Sequence, residues 1–202
     1  MTTAAAPTAT PLSLCVYCGS RAGADPAFER AARALGNAVA SRGWQLVYGG
    51  GHAGLMGCVA DAALAAGGRV VGVIPRGLMQ RELGHRGLSE LHVVETMHER
   101  KRLMADRSDA FVALPGGIGT LEELFEAWTW RQLGVHAKPV GLLDVAGYYS
   151  GLLGFLEHTV RQGFVPEAQH ALLQVDSDID ALLDRLATLT ALASPASDYR
   201  TI

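Results

Sequence analysis

The segment Leu114-Pro115-Gly116-Gly117-Ile118-Gly119-Thr120-Leu121-Glu122-Glu123 constrains this chain more than any other. The residues before it, Ala110 to Leu114, form an unbroken apolar run that reads as a buried strand. After it, Leu121, Leu124, Phe125 and Trp128 recur at helical spacing. A strand, a glycine loop and a helix start, in that order, leave backbone N–H groups unpaired at a helix N-terminus. The helix dipole favours negative charge at the same place, so the junction suits a phosphate or another anion. The loop holds no lysine and is not the Walker pattern, and Gly117-Ile118-Gly119 has no third glycine to complete a dinucleotide fingerprint.

The same grammar recurs upstream. Ser13–Cys18, Trp44–Tyr48 and Arg69–Ile74 are apolar strand candidates. Between them, Asp25-Pro26 starts a helix with Phe28, Ala32, Leu35 and Val39 on one face, and Gly49-Gly50-Gly51-His52-Ala53-Gly54 opens a small-residue helix that ends near Ala66. Pro75–Glu90 is polar, with Arg76, Arg81, Glu82, His85 and Arg86, and predicts a loop able to cover a site. Downstream, the pattern predicts a short strand at Leu91–Val94, a basic helix at Met97–Arg107 and a helix at Thr120–Leu133. It then predicts a strand at Val140–Leu143, a helix at Tyr148–Gln162, a last strand at Leu172–Val175, and a helix from Asp178 through Leu189. Apolar strands alternating with helices specify a parallel sheet covered on both faces, and right-handed crossovers make it a Rossmann-like doubly wound α/β domain. Both glycine loops follow strands, at the edge where such sheets hold ligands near the switch in strand order. Residues 12–190 are expected to form this single domain, between a disordered Thr/Ala/Pro lead-in over 1–11 and a tail over 191–202.

At 202 residues and 49% hydrophobic content the chain suits one domain with a substantial core. A net charge of -3 and a pI near 6.1 argue against a broadly basic surface, and so against nucleic acid or anionic membrane as the main partner. The sequence has no long apolar run and no signal-peptide pattern at its start, which predicts a cytoplasmic protein. Cys15-Val16-Tyr17-Cys18 has the spacing of a redox pair. Within a strand, however, residues three apart point to opposite faces, so buried free thiols are expected for Cys15, Cys18 and Cys58. His52, His85, His92, His98 and His136 show no two-ligand spacing on one helix, and no metal site is expected.

The order Pro-Gly-Gly-x-Gly-Thr-x-x-Glu over Pro115–Glu123 resembles the signature of the lonely-guy family, cytokinin-activating phosphoribohydrolases often mislabelled lysine decarboxylases. Cys18-Gly19-Ser20, Gly49-Gly50-Gly51 with Gly54-Leu55-Met56-Gly57, Arg81-Glu82-Leu83 and Met97-His98-Glu99-Arg100-Lys101 look like the family's other segments, in the family's order. The resemblance implies Arg100 and Glu123 as the catalytic pair. It implies substrate-binding positions at Gly19, Ser20, Gly50, Gly51, Glu82, Lys101, Gly116, Gly117, Ile118, Gly119, Thr120, Glu122 and Thr129. It also implies a homodimer with sites near the subunit interface. The implied reaction is hydrolysis of the N-glycosidic bond of N6-substituted adenine nucleoside 5′-monophosphates to free base and ribose 5-phosphate, without metal or redox cofactor.

Read alone, several of these residues have plainer explanations. Thr120-Leu121-Glu122-Glu123 fits a capping box in which Thr120 caps the helix and Glu123 reaches back. Glu99-Arg100-Lys101-Arg102 fits a solvated helix face, although Arg100 shares a face with Leu103, Met104 and Arg107 and can turn toward the core. Trp128 and Trp130 fit core or interface. The implied chemistry nonetheless accounts for a carboxylate beside an anion loop. Breaking an N-glycosidic bond develops positive charge on the ribose ring, which Glu123 would stabilise while activating water. The Gly116–Thr120 backbone would hold the phosphate and Arg100 would orient the ribose or phosphate. A general AMP or purine nucleotide nucleosidase is the alternative within this chemistry. A non-catalytic nucleotide-binding module is the alternative outside it, and would need no Arg100 and Glu123 pair. A pyridoxal phosphate decarboxylase would need a cofactor lysine, and the only lysines, Lys101 and Lys138, lie in no such motif.

Overall fold

The computed structural model describes residues 11–79 and 83–193; residues 1–10 of the lead-in expected over 1–11 and residues 194–202 of the tail expected over 191–202 lie outside the described residues, and the last helix takes in the first two residues of that tail. In chain order the elements are β1 (Ser13–Tyr17), α1 (Pro26–Ser41), β2 (Gln45–Tyr48), α2 (Gly54–Ala65), β3 (Arg69–Pro75), β4 (Glu90–Val94), α3 (Met97–Asp106), β5 (Ala110–Ala113), α4 (Ile118–Gln132), β6 (Val140–Leu143), α5 (Ser150–Arg161), α6 (Glu167–His170), β7 (Leu173–Asp176) and α7 (Ile179–Leu192). Short 3-10 turns follow β3 at Arg76–Leu78 and β6 at Val145–Gly147. These turns and the four-residue α6 are too short to leave a periodicity in the sequence. Among the described residues no helix is long and apolar enough to cross a membrane.

The seven strands form one parallel sheet in the order β4-β3-β2-β1-β5-β6-β7. The chain winds outward from β1 to β4, α3 carries it back to the middle, and β5 then pairs with the free side of β1. Val16 lies in register with Tyr48 on one side and Val112 on the other. The direction of winding therefore reverses between β1 and β5, and the crevice above their C-terminal ends is where a doubly wound sheet admits ligand.

Alternation along the central strands divides the core in two. Leu14 and Val16 of β1, with Ala110 and Val112 of β5, face α1, α2 and α7, where they meet Leu35, Val39, Val59, Leu182 and Leu186. Cys15, Tyr17, Phe111 and Ala113 face the other way, onto Met104 of α3, Leu124 and Trp128 of α4 and Leu156 of α5. Each fully buried Leu, Val or Phe contributes roughly 1.5–3 kcal/mol through its removal from water. Cys15 and Cys18 fall on opposite faces, as strand geometry requires, and neither forms a disulfide. Burial pushes both thiols up, Cys15 to about 12, which keeps them protonated and unreactive.

Local rules set the helix ends. Asp25 caps α1 by accepting the Ala27 N–H at 2.8 Å, with Pro26 in the first turn where its missing N–H costs nothing. α3 carries a full capping box, Thr96 accepting from the Glu99 N–H and Glu99 accepting from the Thr96 N–H. The expected box at Thr120 and Glu123 is absent. Gly117 occupies the cap of α4 in an extended conformation with no side-chain cap, and the helix starts at Ile118, two residues before Thr120. Thr120 is thus already in the first turn and Glu123 a turn further in, so that the capping explanation of Glu123 falls.

Candidate active site

The loops after β1 and β5 are stitched together across the switch point. The Leu114 N–H donates to the Tyr17 carbonyl at 2.9 Å and the Gly19 N–H to the Pro115 carbonyl at 3.0 Å; the Leu55 N–H, at the start of α2, donates to the Gly19 carbonyl at 3.0 Å. This close approach explains Gly116: a Cβ there would stand 2.1 Å from the buried Thr120 hydroxyl oxygen and 2.9 Å from the Gly19 nitrogen. Gly117 and Gly119 meet nothing within 4 Å on their Cβ side, so the first turn of α4 lies open. With no side-chain cap, its leading N–H groups and the positive end of the dipole remain available to an anion.

Two side chains enter from α3. Arg100 is buried although it sits in a run of four charged residues, because the helix turns that position toward the sheet. Its Nη2 donates to the Gly49 carbonyl at 3.0 Å and its Nε to the Val73 carbonyl at 3.2 Å, which fixes the guanidinium over the ends of β2 and β3. Gly49 has no room for a side chain, since a Cβ would lie 1.9 Å from Arg100 Nη2. Lys101 is also buried, but its ammonium is bound to α4: Nζ reaches Glu122 Oε1 at 2.5 Å and Glu126 Oε1 at 2.9 Å. Burial alone would discourage that charge, but the two carboxylates outweigh it and hold the Lys101 pKa above its ordinary value. Arg102 faces solvent, as the helical geometry predicts.

A cavity of about 560 Å³ opens above the switch point, within the roughly 300–1,000 Å³ range of small-molecule sites. Arg100, Glu122 and Glu123 line it, together with Gly19, Ser20, Gly116, Gly117, Ile118, Gly119 and Thr120. Glu123 and Arg100 both act on Cys18 at the end of β1. After burial, the carboxylate is the next influence pushing that thiol up, and the guanidinium opposes it. A carboxylate and a guanidinium therefore converge beside an anion-binding loop, which is the arrangement needed to hold a phosphorylated sugar and meet positive charge on its ring.

Other sequence candidates stand elsewhere. Gly50 and Gly51 serve the fold: the Gly50 carbonyl accepts the His85 N–H at 2.9 Å and Gly51 bridges to Gly84, pinning the segment after β3. Neither they nor Lys101 line the cavity, and Thr129 is exposed on the far half of α4. Glu82 lies outside the described residues. The cavity also has lining that the motifs do not single out. Arg21 supplies a second cation, and Phe28, Leu78, Met97 and Tyr148 form an apolar wall. Tyr148 is set by its hydroxyl, which donates to the Gly116 carbonyl at 2.6 Å, and by an edge-on contact with Phe28 at 5.4 Å. The only signal in the sequence is position: Arg21 and Phe28 follow β1 and Tyr148 follows β6, all at the ligand edge of the sheet.

The histidines are not all scattered, contrary to expectation. His52 and His85 both meet Asp61, with His52 Nε2 2.9 Å from Oδ2 and His85 Nε2 2.9 Å from Oδ1. His85 Nδ1 accepts the Gly87 N–H at 3.0 Å, so its proton resides on Nε2 and is donated to Asp61. These hydrogen bonds make the group a clamp that fastens the segment after β3 to α2, with ligand atoms close enough together to hold a metal ion.

A family model described as "Possible lysine decarboxylase" matches residues 56–186. The chain is 51% identical over 165 residues to cytokinin riboside 5′-monophosphate phosphoribohydrolase LOG1 of Arabidopsis thaliana, a match covering 81% of this chain and 78% of that protein. It is 47% identical over 175 residues to the cytokinin riboside 5′-monophosphate phosphoribohydrolase of Rhodococcoides fascians, covering 86% and 88%. The molybdenum cofactor carrier protein of Chlamydomonas reinhardtii superposes with a TM-score of 0.69 at 24% identity, over 90% of this chain and 99% of that one, a likeness of fold. The description as a decarboxylase has no support in the site, because Lys101 is tied to two glutamates and the Lys138 ammonium donates to the Ala105 carbonyl at 2.6 Å, both away from the cavity. From its motifs, its fold and these relatives, the chain belongs to the lonely-guy (LOG) family of cytokinin riboside 5′-monophosphate phosphoribohydrolases.

Proposed function

We propose that this protein hydrolyses the N-glycosidic bond of N6-substituted adenine nucleoside 5′-monophosphates, releasing free base and ribose 5-phosphate. The observation that supports this most is the convergence of Glu123 and Arg100 on the cavity whose floor is the open first turn of α4. In this mechanism the N–H groups of Gly117–Thr120 and the dipole of α4 hold the 5′-phosphate, assisted by Arg21 and Arg100. Glu123 faces the ribose, stabilises the positive charge that develops as the bond to the base breaks, and takes a proton from the attacking water. The base departs toward the apolar wall of Phe28, Leu78, Met97 and Tyr148. That wall favours an N6 substituent with apolar character over plain AMP, by roughly 1–3 kcal/mol for each methylene-sized group it covers.

Isopentenyladenosine 5′-monophosphate is therefore expected to be cleaved with a higher kcat/KM than AMP, and isopentenyladenosine with a kcat/KM at least roughly a hundred-fold lower than its nucleotide, because the nucleoside forgoes the charge-assisted phosphate contacts. A steady-state comparison of the three checks this. Equal cleavage of nucleoside and nucleotide removes the phosphate role of the α4 turn. AMP turned over as well as the N6-substituted nucleotide favours a general nucleotide nucleosidase.

A homodimer in which the second copy covers the cavity mouth completes the reading. Met97, Ile118 and Tyr148 line the cavity yet stand exposed, and Ile118 is 83% accessible. Light scattering is expected to give twice the 21.3 kDa chain mass, and Ile118→Glu to shift it toward the monomer. A monomeric unmodified chain would overturn the dimer.

A further inference from the structure

The loop that precedes the open turn of α4 has little support from secondary structure. β5 ends at Ala113, and the helical hydrogen bonds of α4 begin with the Leu121 N–H donating to the Gly117 carbonyl at 3.1 Å, so the carbonyls of Leu114 and Gly116 belong to neither strand nor helix. Two adjacent tyrosines from the turn after β6 supply donors to both. The buried Tyr149 hydroxyl donates to the Leu114 carbonyl at 2.6 Å, and the Tyr148 hydroxyl to the Gly116 carbonyl at 2.6 Å. Burial pushes the Tyr149 pKa well above its ordinary value, so this hydroxyl keeps the proton it donates.

The turn that presents the tyrosines is itself held in shape. Ala146 has the left-handed backbone conformation, φ 52° and ψ 31°, which a residue with a side chain keeps only where its surroundings impose it. Asp144 Oδ1 accepts the Tyr149 N–H at 2.7 Å, the Asp144 N–H donates to the Asp176 carbonyl of β7 at 2.9 Å, and the Val145 carbonyl accepts the Tyr148 N–H at 3.0 Å. The Tyr148 ring also meets Tyr149 edge-on at 4.8 Å and Phe28 at 5.4 Å. A free Gly116 carbonyl would have another partner within the chain, the Thr120 N–H four residues on, which is the relation of an α-helix. That bond would lengthen α4 by one residue and withdraw one of the N–H groups on which an anion depends.

We propose that Tyr148 and Tyr149 are positioning residues for the phosphate half of the catalytic site: by holding the Gly116 and Leu114 carbonyls, their hydroxyls fix where α4 starts and keep its leading N–H groups available to the 5′-phosphate. The effect passes through the loop and not through contact of these hydroxyls with the reacting atoms, and it rests on the reading in which the first turn of α4 holds the phosphate.

The test is isothermal titration calorimetry of the full chain with ribose 5-phosphate and, separately, with isopentenyladenine, since neither ligand has to react. Tyr148→Phe and Tyr149→Phe keep the rings and remove only the hydroxyls. Each is expected to weaken ribose 5-phosphate binding roughly three- to tenfold, the scale of one hydrogen bond, while the affinity for the free base stays at the wild-type value. A merely structural role would lower Tm and leave both affinities unchanged, or weaken both together. Tyr148 is half-exposed, so Tyr148→Phe decides the matter should Tyr149→Phe not fold. Unchanged ribose 5-phosphate affinity in either folded variant, or equal losses for sugar phosphate and base, overturns this proposal alone. A wild-type chain that binds ribose as tightly as ribose 5-phosphate removes the phosphate role of α4, and this proposal with it.

Discussion

Glu123→Gln is expected to lower turnover of isopentenyladenosine 5′-monophosphate roughly a hundred-fold or more, through loss of both the charge that meets the ribose cation and the base that activates water. Tm and nucleotide binding are expected to change little. The amide keeps the shape of the carboxylate, and the position has no capping duty, since Gly117 caps α4 and Thr120 lies inside its first turn. Glu126→Gln is the matched control on the same helix: it removes one hydrogen bond to Lys101, at 2.9 Å, from a residue outside the cavity, and should retain near-normal turnover. Unimpaired turnover in folded Glu123→Gln would sink the proposed chemistry.

Gly49→Ala is expected to be nearly as damaging as Arg100→Ala, although alanine brings no charge and no reactive group. The added methyl would occupy the position of Arg100 Nη2, 1.9 Å away, and push the guanidinium off the Gly49 and Val73 carbonyls that orient it. A displacement of about 1 Å in a positioning group can cost on the order of a hundred-fold in kcat/KM. Arg100→Lys should also fail, because a single ammonium cannot span two carbonyls as the planar fork does. The circular dichroism spectrum should stay native in Gly49→Ala while kcat/KM falls. Wild-type activity in that variant would mean that Arg100 works from some other pose, or not at all.

The sheet is legible in the sequence because its signal is long-range and redundant. Apolar runs such as Ala110–Leu114, buried on both faces, recur between helical stripes, and only a parallel sheet accommodates that alternation. The glycine loop is legible for the same kind of reason, as no residue with a side chain fits at Gly116 against Thr120. Positions whose role depends on three-dimensional approach are not. The start of α4 lies two residues before the one its pattern predicts, because Thr120 and Glu123 satisfy a capping pattern that an uncapped glycine start overrides. Lys101 sits one residue from Arg100, yet the helical turn between them directs it to Glu122 and Glu126 instead of the cavity. Tyr148 reaches the site from the end of β6 and Arg21 from the end of β1, brought together by strand order, which local pattern does not encode. The His52, Asp61 and His85 clamp joins α2 to a segment distant along the chain, and no spacing rule on one helix could find it.

Hydrolysis at the N-glycosidic bond is tested by quantifying the products of isopentenyladenosine 5′-monophosphate turnover with purified protein and no added metal. Free isopentenyladenine and ribose 5-phosphate are expected in equal amounts, with no dephosphorylated nucleoside formed along the way. Nucleotide that binds but stays intact, or free base formed without an equal amount of ribose 5-phosphate, would overturn the proposed hydrolysis.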